Sequence, residues 1–192
     1  MATISEIHES NENYWAAVAV HEAAHGVVAG ALGCLPIHLE LFRSVRVHIQ
    51  SPGPKVRLAG VCRSRFPRTA FGMFTNIMVW TAPMVAHEVI EHGDPDDLHE
   101  RADACLEFRR VTGHSDNDLF RTFVDAPLMA FFRDERVKRA VLEGLAGPLY
   151  HRLKYRVTPK AMEELGIDQS AAKLRRAVQV LADMWPNARQ KA

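Results

Sequence analysis

The chain has 192 residues, enough for one domain with a filled core, and its 47% hydrophobic and 24% charged content is that of an ordinary globular protein. A net charge of +1 leaves no uncompensated basic stripe, which argues against nucleic acid as an obligatory partner. Three widely spaced cysteines, Cys34, Cys62 and Cys105, exclude a disulfide framework and point to a reducing compartment, so the expected location is cytoplasmic.

In chain order, Met1 to Asn13 is polar and acidic and lacks the charged start and apolar core of a secretory signal. Ser10 or Asn11 is placed to cap a helix that Gly33 and Pro36 end. Within it lies His21-Glu22-Ala-Ala-His25, an H-E-x-x-H motif in a run of alanine and valine. Residues four apart lie one turn above each other, so both imidazoles face one way and can take two corners of a Zn²⁺ tetrahedron. Glu22 falls beside such an ion, where a carboxylate can accept a proton from water. Gly26 leaves room for a close neighbour.

Beyond this helix, Ile37 to Ile49 alternates loosely, as in Val45-Arg46-Val47-His48-Ile49, Ser51-Pro-Gly-Pro54 makes a turn, and Val56 to Cys62 is again extended, which predicts an antiparallel sheet of two or three strands. Thr69 to His92 is helical in pattern, with Pro83 expected to kink or divide it. Asp96 or Asp97 is expected to cap a helix from Leu98 to about Val111. A helix starting near Ser115 should stop before Pro127, and Arg133 to Tyr155 reads as one long amphipathic helix. Thr158-Pro159 opens a short helix, and Asp168 to Met184 forms the last. The two most apolar stretches, Trp15 to Leu35 and Phe71 to Ile90, carry polar groups at mid-span and are expected to be core helices without membrane insertion. The fold class expected is therefore α+β, mainly helical: a single domain over 1–192, with a zincin-like active-site helix and small antiparallel sheet in a core of about 11–126, then C-terminal helices over 127–186.

A catalytic zinc site needs a third protein ligand. Position 31 is alanine, which excludes a third histidine six residues after His25, and leaves His87, Glu88, His92, His114, Asp116 and Asp118 as candidates. The motif His21-Glu-Ala-Ala-His25-Gly-Val-Val-Ala resembles the signature of the FtsH-type zinc peptidases, the protease half of membrane-anchored AAA proteases. Arg57-Leu-Ala-Gly60-Val61-Cys62 resembles that family's glycine-containing strand beside the active site, and Thr112-Gly113-His-Ser-Asp-Asn117-Asp118-Leu119 resembles the segment that supplies its third ligand. The resemblance implies Asp118 as the metal-binding carboxylate, with Asp116 and Glu88 as rivals. The resemblance does not extend to an AAA ATPase half, so ATP-driven unfolding is not implied. Standalone proteins of this kind resemble bacterial or phage-encoded ones.

The expected function is a zinc metallopeptidase with His21, His25 and Asp118 on Zn²⁺ and Glu22 as general base, acting on peptide or unfolded protein. An exposed edge at Val56 to Cys62 would pair with an extended substrate. The alternative is a catalytically silent zincin-fold binding or regulatory module. The sequence leaves open whether copies of the chain form a homo-oligomer.

Overall fold

The computed structural model describes residues 4–46, 55–90 and 98–188. Its architecture is mainly helical with one three-stranded antiparallel sheet. Helix α1 spans Ile4–Ala31, so it is already under way at Ser10 and Asn11, and neither caps it. From Val18 to Leu32 almost every side chain is buried, and α1 packs against both β1 and β2 and four or more helical elements. A helix apolar on all sides belongs at the centre of a fold. Its end is a Schellman motif: Gly33 has φ 86°, its N–H donates to Gly30 O, and the Cys34 N–H donates to Ala29 O.

Strands β1 (Ile37–Arg46) and β2 (Lys55–Arg63) pair antiparallel, with Leu39 opposite Cys62 and Glu40 opposite Val61. Ile37, Leu39 and Leu41 are buried while His38 and Phe42 face out, the period-two pattern of a sheet with one covered face. Leu39 fills the space that Gly26 leaves open; a Cβ on Gly26 would meet its methyl groups at 3.1 and 3.2 Å.

Helix α2 spans Ala70–Ile90 and carries Pro83 without being divided by it. Helix α3 follows as Leu98–Thr112; its expected caps, Asp96 and Asp97, lie outside the described residues. Next come α4 (Asn117–Phe120), a π turn over Arg121–Asp125, and α5 (Ala126–Phe132). The helix does not stop before Pro127. The wide turn runs into the proline, which then sits at the start of α5, where its missing N–H costs least.

The expected single helix over 133–155 is likewise α6 (Glu135–Arg139), a second π turn (Ala140–Ala146) leading into Pro148, and α7 (Gly147–Arg152). Val137, Val141, Leu145 and Leu149 are all buried as their spacing required, but Leu153 is 46% exposed, with φ 62°. There the chain turns, and Lys154–Val157 becomes β3, adding to the other side of β1 to give the order β2-β1-β3. Along this strand half-buried Tyr155 and buried Val157 alternate with exposed Lys154 and Arg156, a period-two pattern that overrides the helical one. Thr158 caps α8 (Pro159–Glu164) by accepting from the Ala161 N–H, and amphipathic α9 (Asp168–Met184) closes the core through Leu174, Val178 and Leu181. No described helix is long and apolar enough to cross a membrane.

Candidate metal centre

His21, Glu22 and His25 are all buried, between 5% and 7% exposed, in the middle of α1. One helical turn separates the two histidines, and their rings meet edge to face with centroids 4.9 Å apart. His25 Nδ1 lies 2.7 Å from Val79 O on α2. With Nδ1–H donating to that carbonyl, Nε2 carries the lone pair and is directed away from the helix contact.

The third group is Glu100, in the first turn of α3. Its Oε2 lies 3.0 Å from His25 Nε2 and 3.3 Å from His21 Nε2. These three side chains form a group able to hold a metal ion, with donor atoms all within 4.8 Å of one another. Bonds of about 2.0–2.2 Å to nitrogen and oxygen donors separate tetrahedrally placed ligands by about 3.3–3.6 Å, so the two edges at Glu100 suit a divalent metal ion. With Nε2 of both rings unprotonated, Glu100 Oε2 has no hydrogen-bond donor despite these short distances. Two lone-pair nitrogens and a carboxylate oxygen repel unless a positive charge lies between them. With Glu22 and Glu100 ionised the group bears two negative charges, which a dication balances.

Proton affinities show the same demand. Burial alone would lower the pKa of His25, but its hydrogen bond and charge interaction with Glu100, the charge of Glu22 and the Val79 contact together raise it. Burial would raise the Glu100 pKa, yet hydrogen bonds and charge from His21 and His25 hold it well below the usual carboxylate range.

The sheet supplies the other wall. Gly60, Val61 and Cys62 of β2 line a cleft of about 150 Å³ with Glu22, His25, Val79, Trp80 and Glu100. Gly60 lies directly against Glu22. Burial, and then the charges of Glu22 and Glu100, push the Cys62 thiol up, so it remains protonated and is poorly suited to act as nucleophile or thiolate ligand.

Asp118, the residue implied as third ligand by the family resemblance, is not brought to this group. Its side chain is 83% exposed and lies 3.7 Å from Arg121. The reason is the antiparallel packing of α3 on the 117–125 segment. Arg101 meets Asp125 and Arg109 meets Asn117, so Asp118 lies at the far end of α3 from Glu100, about 12 Å along the axis at 1.5 Å per residue. Asp116 is occupied in capping α4, where it accepts from the Asp118 N–H at 2.8 Å. Glu88 is exposed, and the His114 ring meets Trp185 edge to face. His87 comes nearer, its ring 6.1 Å from that of His21, but its nitrogens are not in the three-atom group. His92 lies outside the described residues.

Glu100 was absent from the sequence-based candidates, although a signal for it exists. Glu100, Ala104 and Phe108 are spaced by four, and Ala104 and Phe108 are fully buried. A carboxylate in register with the apolar stripe of a helix is one that the fold turns inward. Compared with protein-family models, curated proteins and solved structures, the chain finds no match.

Proposed function

We propose that this chain is a zinc-dependent peptidase that hydrolyses peptide bonds in peptides or unfolded protein. The observation that carries the reading is the convergence of His21 Nε2, His25 Nε2 and Glu100 Oε2 beside a buried Glu22. His21, His25 and Glu100 would hold the ion, a donor set of two imidazoles and one carboxylate that suits catalytic zinc. Bound there, zinc supplies Lewis acidity to a water and to a substrate carbonyl. Glu22 takes the proton of the attacking water and passes it to the departing amine. The FtsH-type resemblance is kept at H-E-A-A-H, with Glu100 taking the place of Asp118.

Backbone geometry supports a peptide as substrate. The Leu41 N–H donates to Leu153 O, so Leu39 and Leu41 turn their backbone groups towards β3, whereas His38 and Glu40 turn theirs towards β2. Their partners Arg63 and Val61 therefore point inwards, and Gly60 and Cys62 present N–H and C=O groups at the outer edge of β2. That edge pairs with no strand among the described residues. An extended peptide bound to it would lie beside Glu22.

One observation favours a second reading, a metal-binding module without turnover: a cleft of about 150 Å³ is smaller than the roughly 300–1,000 Å³ of typical ligand sites. Metal analysis and digestion of an unfolded protein such as reduced casein separate the two. The peptidase reading expects one zinc per chain, cleavage stopped by a chelator, and a loss of about 10²-fold or more in Glu22→Gln with zinc retained. Zinc without cleavage would establish the silent module, and a protein that takes up no metal would end both readings.

A further inference from the structure

We propose that Arg101 and Asp125 form a positioning pair that holds Glu100 at the metal centre; the inference rests on the metal-binding reading above. Arg101 directly follows Glu100 on α3, and its guanidinium is ion-paired and hydrogen-bonded to Asp125 Oδ2. It also lies over the Phe120 ring, 5.5 Å from the centroid. The Asp125 side chain is only 13% exposed. Its second oxygen, Oδ1, is buried and has no hydrogen-bond partner among the described residues, which makes Arg101 the cation that offsets this buried charge.

The pair is one of two pins. Arg101, Cys105 and Arg109 form a stripe at spacings of four, and each meets the segment from Asn117 to Asp125: Arg109 binds Asn117 Oδ1 at 2.6 Å, Cys105 Sγ lies 3.7 Å from the same oxygen, and Arg101 binds Asp125. The two helices thus run antiparallel in a fixed register. In a regular α-helix each four-residue step drifts by about 40°. The π turn at Arg121–Asp125 has more residues per turn and offsets that drift, which keeps Asp125 on the side of Asn117.

A slip of one residue along α3 is about 1.5 Å of translation with about 100° of rotation. Metal–ligand bonds tolerate about 0.2 Å, so either movement would remove Glu100 from the group. The stripe of Ala104 and Phe108 anchors the middle of α3, and the Arg101–Asp125 pin fixes the end that carries Glu100.

Cobalt(II) titration followed by visible absorption tests the pair in the full chain, comparing wild type with Glu100→Gln, Arg101→Gln, Asp125→Asn and the Arg101→Gln/Asp125→Asn double variant. Expected are affinities about 10- to 100-fold below wild type in both single variants. Their ligand-field spectra should shift towards that of Glu100→Gln, and the double variant should be no weaker than the worse single one. The double variant strands no lone charge, so it covers the case in which a single variant does not fold. Arg101→Lys, which keeps the charge, should recover part of the affinity. Wild-type affinity and spectrum in the Arg101 and Asp125 variants, beside a weakened Glu100→Gln, would overturn the pair and leave the metal centre standing. Absence of cobalt binding by wild type would overturn both.

Discussion

Gly60 and Glu22 are in such close contact that a Cβ on the glycine would fall 2.3 Å from Glu22 Cγ and 2.5 Å from Oε1. Real Cβ atoms do not approach so near, so β2 can lie beside the motif helix only where it has no side chain. The carboxylate orientation proposed for proton transfer is thus set partly by a residue on another element.

Gly60→Ala should therefore displace Glu22. The expected outcome is a loss of casein cleavage of about 10²-fold, since a misplaced base loses most of its benefit, with metal stoichiometry unchanged. Overpacking should lower stability by about 1–3 kcal/mol in urea titrations. Undiminished cleavage would show that Glu22 has no fixed role there.

Glu100 and Asp118 should behave differently. Glu100→Ala is expected to weaken zinc binding by at least about 10-fold in chelator competition, whereas Asp118→Ala, which removes an exposed side chain that meets only Arg121 among the described contacts, should change neither affinity nor stability by more than about 0.5 kcal/mol. The opposite ranking would return the third-ligand role to Asp118.

The pH response should invert with metal. In the metal-free protein, His25 has a raised folded-state pKa, so its contribution is fully present below its unfolded value near 6.5 and disappears as pH rises through the folded value. Glu100 has a depressed pKa, so its contribution is present above about 4.5 and is lost on acidification. Thermal midpoints of the metal-free protein should accordingly peak between those limits and fall on the alkaline side. Metal binding requires neutral imidazoles, so affinity should weaken as pH falls, and the decline should begin above 6.5 because the His25 proton is held more tightly than usual. An alkaline rise in metal-free stability would contradict the coupling between His25 and Glu100.

Cys62 lines the cleft but its thiol is held protonated. Cys62→Ala should keep cleavage within about threefold of wild type, and iodoacetamide should label Cys62 in the folded protein far more slowly than in urea. Rapid labelling with matching inactivation would give this thiol a part in the chemistry.

Local pattern made much of the fold legible. The extended runs expected at 37–49 and 56–62, of which 47–49 and the turn at 51–54 lie outside the described residues, helices α2, α3 and α9, the Gly33 stop and the Thr158 cap all follow from neighbouring residues. The errors fell where two local rules competed. At Pro127 and Pro148 a π turn took up the mismatch, and at Leu153 strand pairing with β1 displaced a helical repeat.

Sequence by itself determined the His21–Glu22–His25 half of the site, because donors one helical turn apart share a face wherever that helix is placed. The spacing of Glu100 with Ala104 and Phe108 marks it as turned inwards, and tertiary structure decided that it is the acid that joins them. Glu100, Asp116 and Asp118 are equivalent as carboxylates, but α3 packs on α2 with Glu100 beside the histidines, and its antiparallel register on the 117–125 segment leaves the others at the far end. That register depends on side-chain pairs between helices, which no spacing within either helix encodes.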